Sequence, residues 1–155
     1  ETVLYSFTGG KDGGGGDAGG ADLSLVMDNK GNLYGTTERG GVGAGVVFKV
    51  NITTKRETVL YTFNALKNGE LPTAGLVRDS TGNLYGTTAG GGNRAFGGTV
   101  FKLTGTKETV LHRFHGTDGQ NPFRSPLMLD QDGTLYGVTY LGGAKGYGTV
   151  FSVKP

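Results

Sequence analysis

The sequence predicts an all-β protein: a β-propeller built from four-stranded antiparallel blades, three blades per chain, in a ring closed by self-association into six or nine blades. Three observations carry this expectation. The word Glu-Thr-Val-Leu opens at Glu1, Glu57 and Glu108, which divides the 155 residues into units 1–56, 57–107 and 108–155 of a single repeat domain. Short apolar words return in the same order inside each unit, as a period of about 50 residues in a propeller requires. Finally, 32 glycines and 4 prolines leave little room for long helices, while 35% apolar residues supply a core.

Each unit reads as four strands. In the first word Val3, Tyr5 and Phe7 alternate with polar or smaller neighbours, as do Val59, Tyr61 and Phe63, and Val110, His112 and Phe114. Strict alternation places each trio on one face of a strand. The second word, Leu25-Val26-Met27, Leu76-Val77 or Leu127-Met128-Leu129, ends at Asp28, Asp79 or Asp130, with Gly31, Gly82 or Gly133 three residues later. Asp opening and Gly closing a short polar link is hairpin chemistry, because Gly adopts positive φ without a Cβ clash. The third word is Leu33-Tyr34-Gly35, Leu84-Tyr85-Gly86 or Leu135-Tyr136-Gly137. The fourth is Val47-Phe48, Val100-Phe101 or Val150-Phe151.

The Leu-Val-x-Asp word is assigned to the innermost strand, and Glu-Thr-Val-Leu to the outer strand of the preceding blade. On that assignment residues 1–7 are an orphan outer strand and 149–153 lacks an outer partner, so the two ends are matched. A closed propeller needs at least four blades. The chain is therefore either a piece of a longer array or an arc that interlocks with itself as a homodimer or homotrimer through residues 1–7 and 149–153.

A net charge of +2, with Lys and Arg scattered singly, argues against nucleic acid as a partner. The apolar runs are only a few residues long, which excludes a membrane-spanning helix. The absence of cysteine excludes thiolate zinc sites and cysteine nucleophiles. His112 and His115 are three apart, a spacing that points to opposite faces of a strand, so no metal site is expected there. Asp130-x-Asp132-Gly133 lacks the later Glu of a calcium loop and reads as a turn. Gly13 to Gly16 lacks the Gly-Lys-Ser/Thr ending of a phosphate loop. No catalytic residue and no cofactor are expected.

The words Glu-Thr-Val-Leu-Tyr-Ser-Phe, Asp-x-x-Gly-Asn-Leu-Tyr-Gly-Thr-Thr and Gly-Thr-Val-Phe-Lys-Leu resemble the GloVer (Gloeobacter/Verrucomicrobia-type) tandem repeat over essentially the whole chain. The resemblance implies a bacterial protein, exported or held at the cell surface, with no enzymatic activity tied to the repeat. Val46, where the other units have Thr99 and Thr149, departs from the pattern.

Alternating strand directions place the long loops 8–22, 64–74 and 115–126, and 38–45, 89–98 and 140–148, on one end of the ring. That end is the expected binding face, with Glu38, Arg39, Asn93, Arg94, Asp118, Asn121, Arg124, Tyr140 and Tyr147 as candidate ligand-binding residues. Tyr34, Tyr85 and Tyr136 are read as packing between blades. The resulting expectation is a non-enzymatic structural or binding module, with a possible glycan or small-molecule ligand. A lectin-like propeller is the first alternative, and a hydrolase or lyase at the channel mouth the second.

Overall fold

A computed structural model describes residues 1–14, 24–92 and 97–155. Among them there is no helix, so none is long and apolar enough to cross a membrane. Among the described residues eleven strands form three antiparallel meanders. The first sheet holds β1 (Val26–Met27), β2 (Asn32–Thr37), β3 (Val46–Asn51) and β4 (Glu57–Thr62); the second holds β5 (Val77–Arg78), β6 (Leu84–Thr88), β7 (Thr99–Thr104) and β8 (Lys107–Arg113). The third has only β9 (Met128–Leu129), β10 (Leu135–Val138) and β11 (Val150–Val153). Residues 1–7 belong to no sheet. The four words thus pair in chain order, and the last sheet lacks the outer strand that the first two possess.

The spelling of the words follows from packing. Gly35, Gly86 and Gly137 stand directly across the ladder from Phe48, Phe101 and Phe151. A Cβ on these glycines would come within 2.7, 2.7 and 2.5 Å of the ring Cζ, and within 3.0 Å of Leu25, Leu76 and Leu127 Cδ2. Glycine in the third word therefore opens the slot that the phenylalanine of the fourth fills.

The sheets stack face to face through repeated aromatic contacts. Phe63 meets Phe101 at 5.1 Å between ring centres and Phe114 meets Phe151 at 5.0 Å, both edge to face. Phe7 makes the same contact with Phe48 at 4.9 Å. Residues 1–7 therefore lie against the first sheet much as β4 lies against the second, with Leu4, Tyr5 and Phe7 on the cluster of Val46, Phe48 and Val50. Between the first two sheets Val47 and Phe63 pack with Leu76, Leu84, Phe101 and Leu103. Between the last two, Tyr85, Val100 and Phe114 pack with Leu127 and Leu135. Tyr34 and Tyr85 lie in these inter-sheet layers.

One detail corrects the strand reading. Val59, Tyr61 and Phe63 do not share a face: Val59 packs on the Phe48 cluster, whereas Tyr61 and Phe63 pack toward the second sheet. The cause is a bulge. The register jumps so that Phe48 faces Val59 while Val47 faces Tyr61, leaving Leu60 as the extra residue; Leu111 is extra in the same way between Val110 and His112. An inserted residue reverses the alternation and lets one outer strand serve two layers.

Candidate functional site

The long loops meet at one end of the sheets, as their strand directions require. Bridges of the β type link Gly14 to Arg39, Glu70 to Gly90 and Gln120 to Leu141. Gly41, Gly92 and Gly143 donate their N–H groups to Gly10, Ala65 and Gly116. The Leu71 N–H reaches Ala44 of the preceding unit, and the Asn121 N–H reaches Gly97. The described parts of these loops are thus tied together within each unit, and Leu71 and Asn121 tie one unit to the next. Leu71 and Asn121 carry positive φ, 56° and 54°, to make those crossings.

At each seam a polar group recurs that the apolar words had hidden. The Thr8, Asn64 and His115 N–H groups donate to the side-chain oxygens of Asp12, Asn68 and Asp118, at 2.8, 2.9 and 2.8 Å. Each of those side chains also meets the aromatic polar atom of the outer strand, through the same Oδ2 in Asp12 and through the other terminal atom in Asn68 and Asp118. Tyr5 Oη donates to Asp12 Oδ2 at 2.8 Å, Asn68 Nδ2 bonds Tyr61 Oη, and His112 Nε2 lies 2.8 Å from Asp118 Oδ2. The third member is the glutamate that opens the next Glu-Thr-Val-Leu word. Glu108 Oε2 accepts from Tyr61 Oη and Asn68 Nδ2, each at 3.4 Å.

The electrostatics follow from this enclosure. The hydrogen bond to Asp12 pushes the Tyr5 phenol up to about 12, and hydrogen bonds from Thr8 hold Asp12 down at about 2. Burial, then Glu108, raises Tyr61 to about 12. Burial raises Glu108, and burial followed by the Asp12 charge raises Glu57. One carboxylate oxygen of each, Glu57 Oε1 and Glu108 Oε1, is buried without a hydrogen-bond partner. The two closed seams are thus Tyr5, Asp12, Glu57 and Tyr61, Asn68, Glu108. The third has His112 and Asp118, and no glutamate.

A second recurrent cluster is structural. Asp28 Oδ1 accepts the Lys30 and Asn32 N–H groups while Oδ2 accepts Asn32 Nδ2 and Tyr34 Oη; Asp79 does the same with Thr81, Asn83 and Tyr85. Burial works to raise both carboxyls, but the converging donors outweigh it and hold them far below the usual range. The Asp-x-x-Gly turn and the Tyr of the next strand are one hydrogen-bonded unit.

The candidate loop residues are spread over different units. Glu38 is half-buried and Arg39 exposed beside the first sheet, where Arg39 borders an open depression of about 430 Å³ with Lys11 and several glycines. Asn93 and Arg94 lie outside the described residues. Asp118 belongs to the third seam. Asn121 buries Oδ1 without a partner, and its carbonyl accepts the Tyr140 N–H. Arg124 is exposed over the Phe123 ring, while Tyr140 and Tyr147 are 70% and 92% exposed. Among the described residues no group of three or more His, Cys, Asp or Glu side chains is placed to hold a metal.

A family model, the Gloeobacter/Verrucomicrobia repeat, matches residues 1–151. The chain belongs to that family. No curated protein sequence matches it significantly. Within the repeat, sequence reasoning missed the seam glutamates. Their signal was present in the heading residues Glu1, Glu57 and Glu108 and in the pairs Asp12-Gly13, Asn68-Gly69 and Asp118-Gly119.

Proposed function

We propose that this repeat segment is a non-enzymatic structural and binding module whose three sheets are propeller blades, and that two or three copies close a ring of six or nine blades. The observation that carries the reading is a pair of unfinished ends with complementary chemistry. Leu76 and Leu127 are 3% and 5% exposed in the inter-sheet layers, whereas their counterpart Leu25 is 48% exposed. Val47 and Val100 are fully buried, whereas Val150 is 82% exposed, with Met128, Tyr136 and Val138 also exposed around it. One end of the arc presents what the other end covers at every internal seam.

The missing hydrogen bonds support the same join. By the register of β3 on β4 and β7 on β8, residues 1–7 of a second copy would pair with β11 so that Glu1 faces Val153, Val3 faces Phe151 and Tyr5 faces Val150, with Leu4 bulged. That strand already carries its Phe7 onto Phe48 in its own chain. It would therefore complete the neighbour's last blade and cover its own first one. The placement of the protein outside a bacterial cell, exported or surface-held, rests on the family resemblance.

Light scattering or native mass spectrometry over a dilution series tests the ring. A dimer or trimer that persists on dilution is the expected result, and a stable folded monomer at all concentrations overturns it. The exposed Tyr140 and Tyr147 also favour a second reading, a lectin-like face on which sugars stack. Glycan-array binding that is lost in Tyr147→Ala would support it, and an array without hits would remove it.

A further inference from the structure

We infer that His112 and Asp118 form a carboxylate-receiving socket whose occupant is Glu1 of a second copy, so that the joint between chains is ionic where the second internal seam joins a phenol and an amide. This rests on the ring reading above. In that seam Glu108 meets the outer-strand aromatic of the preceding blade, Tyr61, and the loop residue Asn68. Carried to the last blade, the outer strand is residues 1–7 of the incoming copy, its first residue is Glu1, and the aromatic and loop residue are His112 and Asp118. Both are half-exposed, at 35% and 38% of their side chains, and Glu1 is exposed on its own chain. Socket and occupant are each unfinished.

The residue exchange at this seam is chemically coordinated. A tyrosine with a neutral Asn68 suits one glutamate. The first seam brings two carboxylates together, Asp12 and Glu57, beside the Tyr5 phenol; with Asp118 the last seam would do the same, but its aromatic is a histidine. Two carboxylates at one point repel each other, and His112 supplies a cation when protonated, bridging Asp118 and the incoming Glu1.

The groups facing the His112 ring define what else acts on it. Asp118 faces it from the loop, and the Phe114 ring packs against it at 4.8 Å. Val100 lies opposite on β7. The Arg113 guanidinium is engaged with the Gly92 and Lys67 carbonyls. The His115 N–H is held by Asp118. Among these described neighbours the one anion is Asp118, and the incoming Glu1 would be the second.

The test measures assembly by sedimentation velocity at pH 5.5 and 8.5 and at low and high salt, for the unaltered chain, Glu1→Gln and His112→Tyr. Raising the pH through the imidazole range should weaken assembly of the unaltered chain roughly tenfold, with a comparable loss at high salt. His112→Tyr should lose most of that pH response, and Glu1→Gln should lose most of the salt response. The His112 ring protons, followed by NMR, should titrate at higher pH in the assembled chain than in Glu1→Gln. An oligomer whose pH and salt responses are the same in all three proteins overturns the socket and leaves the ring. A monomer under every condition overturns both.

Discussion

Val100 and Val150 occupy the same place in successive fourth strands, yet the first is fully buried and the second is 82% exposed. Nothing local distinguishes them: each sits between Thr and Phe in the word Thr-Val-Phe. What differs is whether another sheet follows. In a stacked repeat, burial is a property of the neighbour as much as of the residue, because one unit cannot cover its own apolar face. The internal seams show what a finished joint contains, and in the first and last sheets the corresponding residues Leu25 and Val150 are exposed.

The sharpest way to break the comparison is to place a charge at both positions. Val100→Asp buries a carboxylate among Tyr85, Phe114, Leu127 and Leu135, and the chain is expected to lose its cooperative melting altogether. Val150→Asp should leave the far-ultraviolet dichroism and melting of the isolated chain within about 0.5 kcal/mol of the original, since the side chain meets solvent. It should abolish assembly. If Val150→Asp also unfolds the chain, the exposed face is already in use within one molecule, and the contrast between seam and end disappears.

A smaller difference separates the turns. Asp79 receives the Thr81 and Asn83 N–H groups, the Thr81 hydroxyl, Asn83 Nδ2 and Tyr85 Oη. Asp130 receives the Asp132 and Thr134 N–H groups, but the side-chain amide is gone because Thr134 replaces Asn83. Asp79→Ala should therefore cost about 1–2 kcal/mol in urea unfolding, and Asp130→Ala clearly less. The same carboxylates set the acid limit. Asp12, Asp28, Asp79, Asp118 and Asp132 are all held below their ordinary range, so each contributes stability above the unfolded-state value and loses it as the pH falls through the folded one. Glu57 and Glu108 are raised and act in the opposite sense. With five against two, the melting temperature should fall as the pH drops from 3.8 toward about 2, the window Asp12 defines. A melting temperature that rises over that interval would contradict these assignments.

Much of this architecture was legible because the repeat writes each rule three times. The four-word order became three meanders, the Asp-x-x-Gly links became turns, residues 1–7 belong to no sheet and β11 has no outer partner, as their places in the unit require. The bulges at Leu60 and Leu111 were not legible. An extra residue inside an apolar strand leaves no mark in its composition, and strict alternation then assigns Val59 to the wrong layer. The seam glutamates were missed for another reason. Glu57 and Glu108 are charged residues that open apolar strand words, and only the stacking of one unit on the next encloses them. The binding-face residues were chosen by loop length, which does not say that backbone bridges tie the described parts of those loops to one another.

The smallest expected effect concerns the hydroxyl that crosses each internal seam. Thr36 Oγ1 donates to the Ala74 carbonyl at 3.3 Å, and Thr87 Oγ1 donates to the Pro122 and Ser125 carbonyls at 3.5 and 3.4 Å. At the open end the equivalent residue is Val138, which has no proton to donate and is exposed. Thr87→Val keeps the shape of a fully buried side chain but leaves carbonyls of the next unit short of a donor, so it should cost about 0.5–1 kcal/mol at these long distances. Val138→Thr should leave the isolated chain unchanged and should not strengthen assembly. An apolar residue there fits a joint whose polarity is concentrated at His112 and Asp118, and a tighter ring in Val138→Thr would mean that the closing joint uses the same hydroxyl bridge as the internal ones.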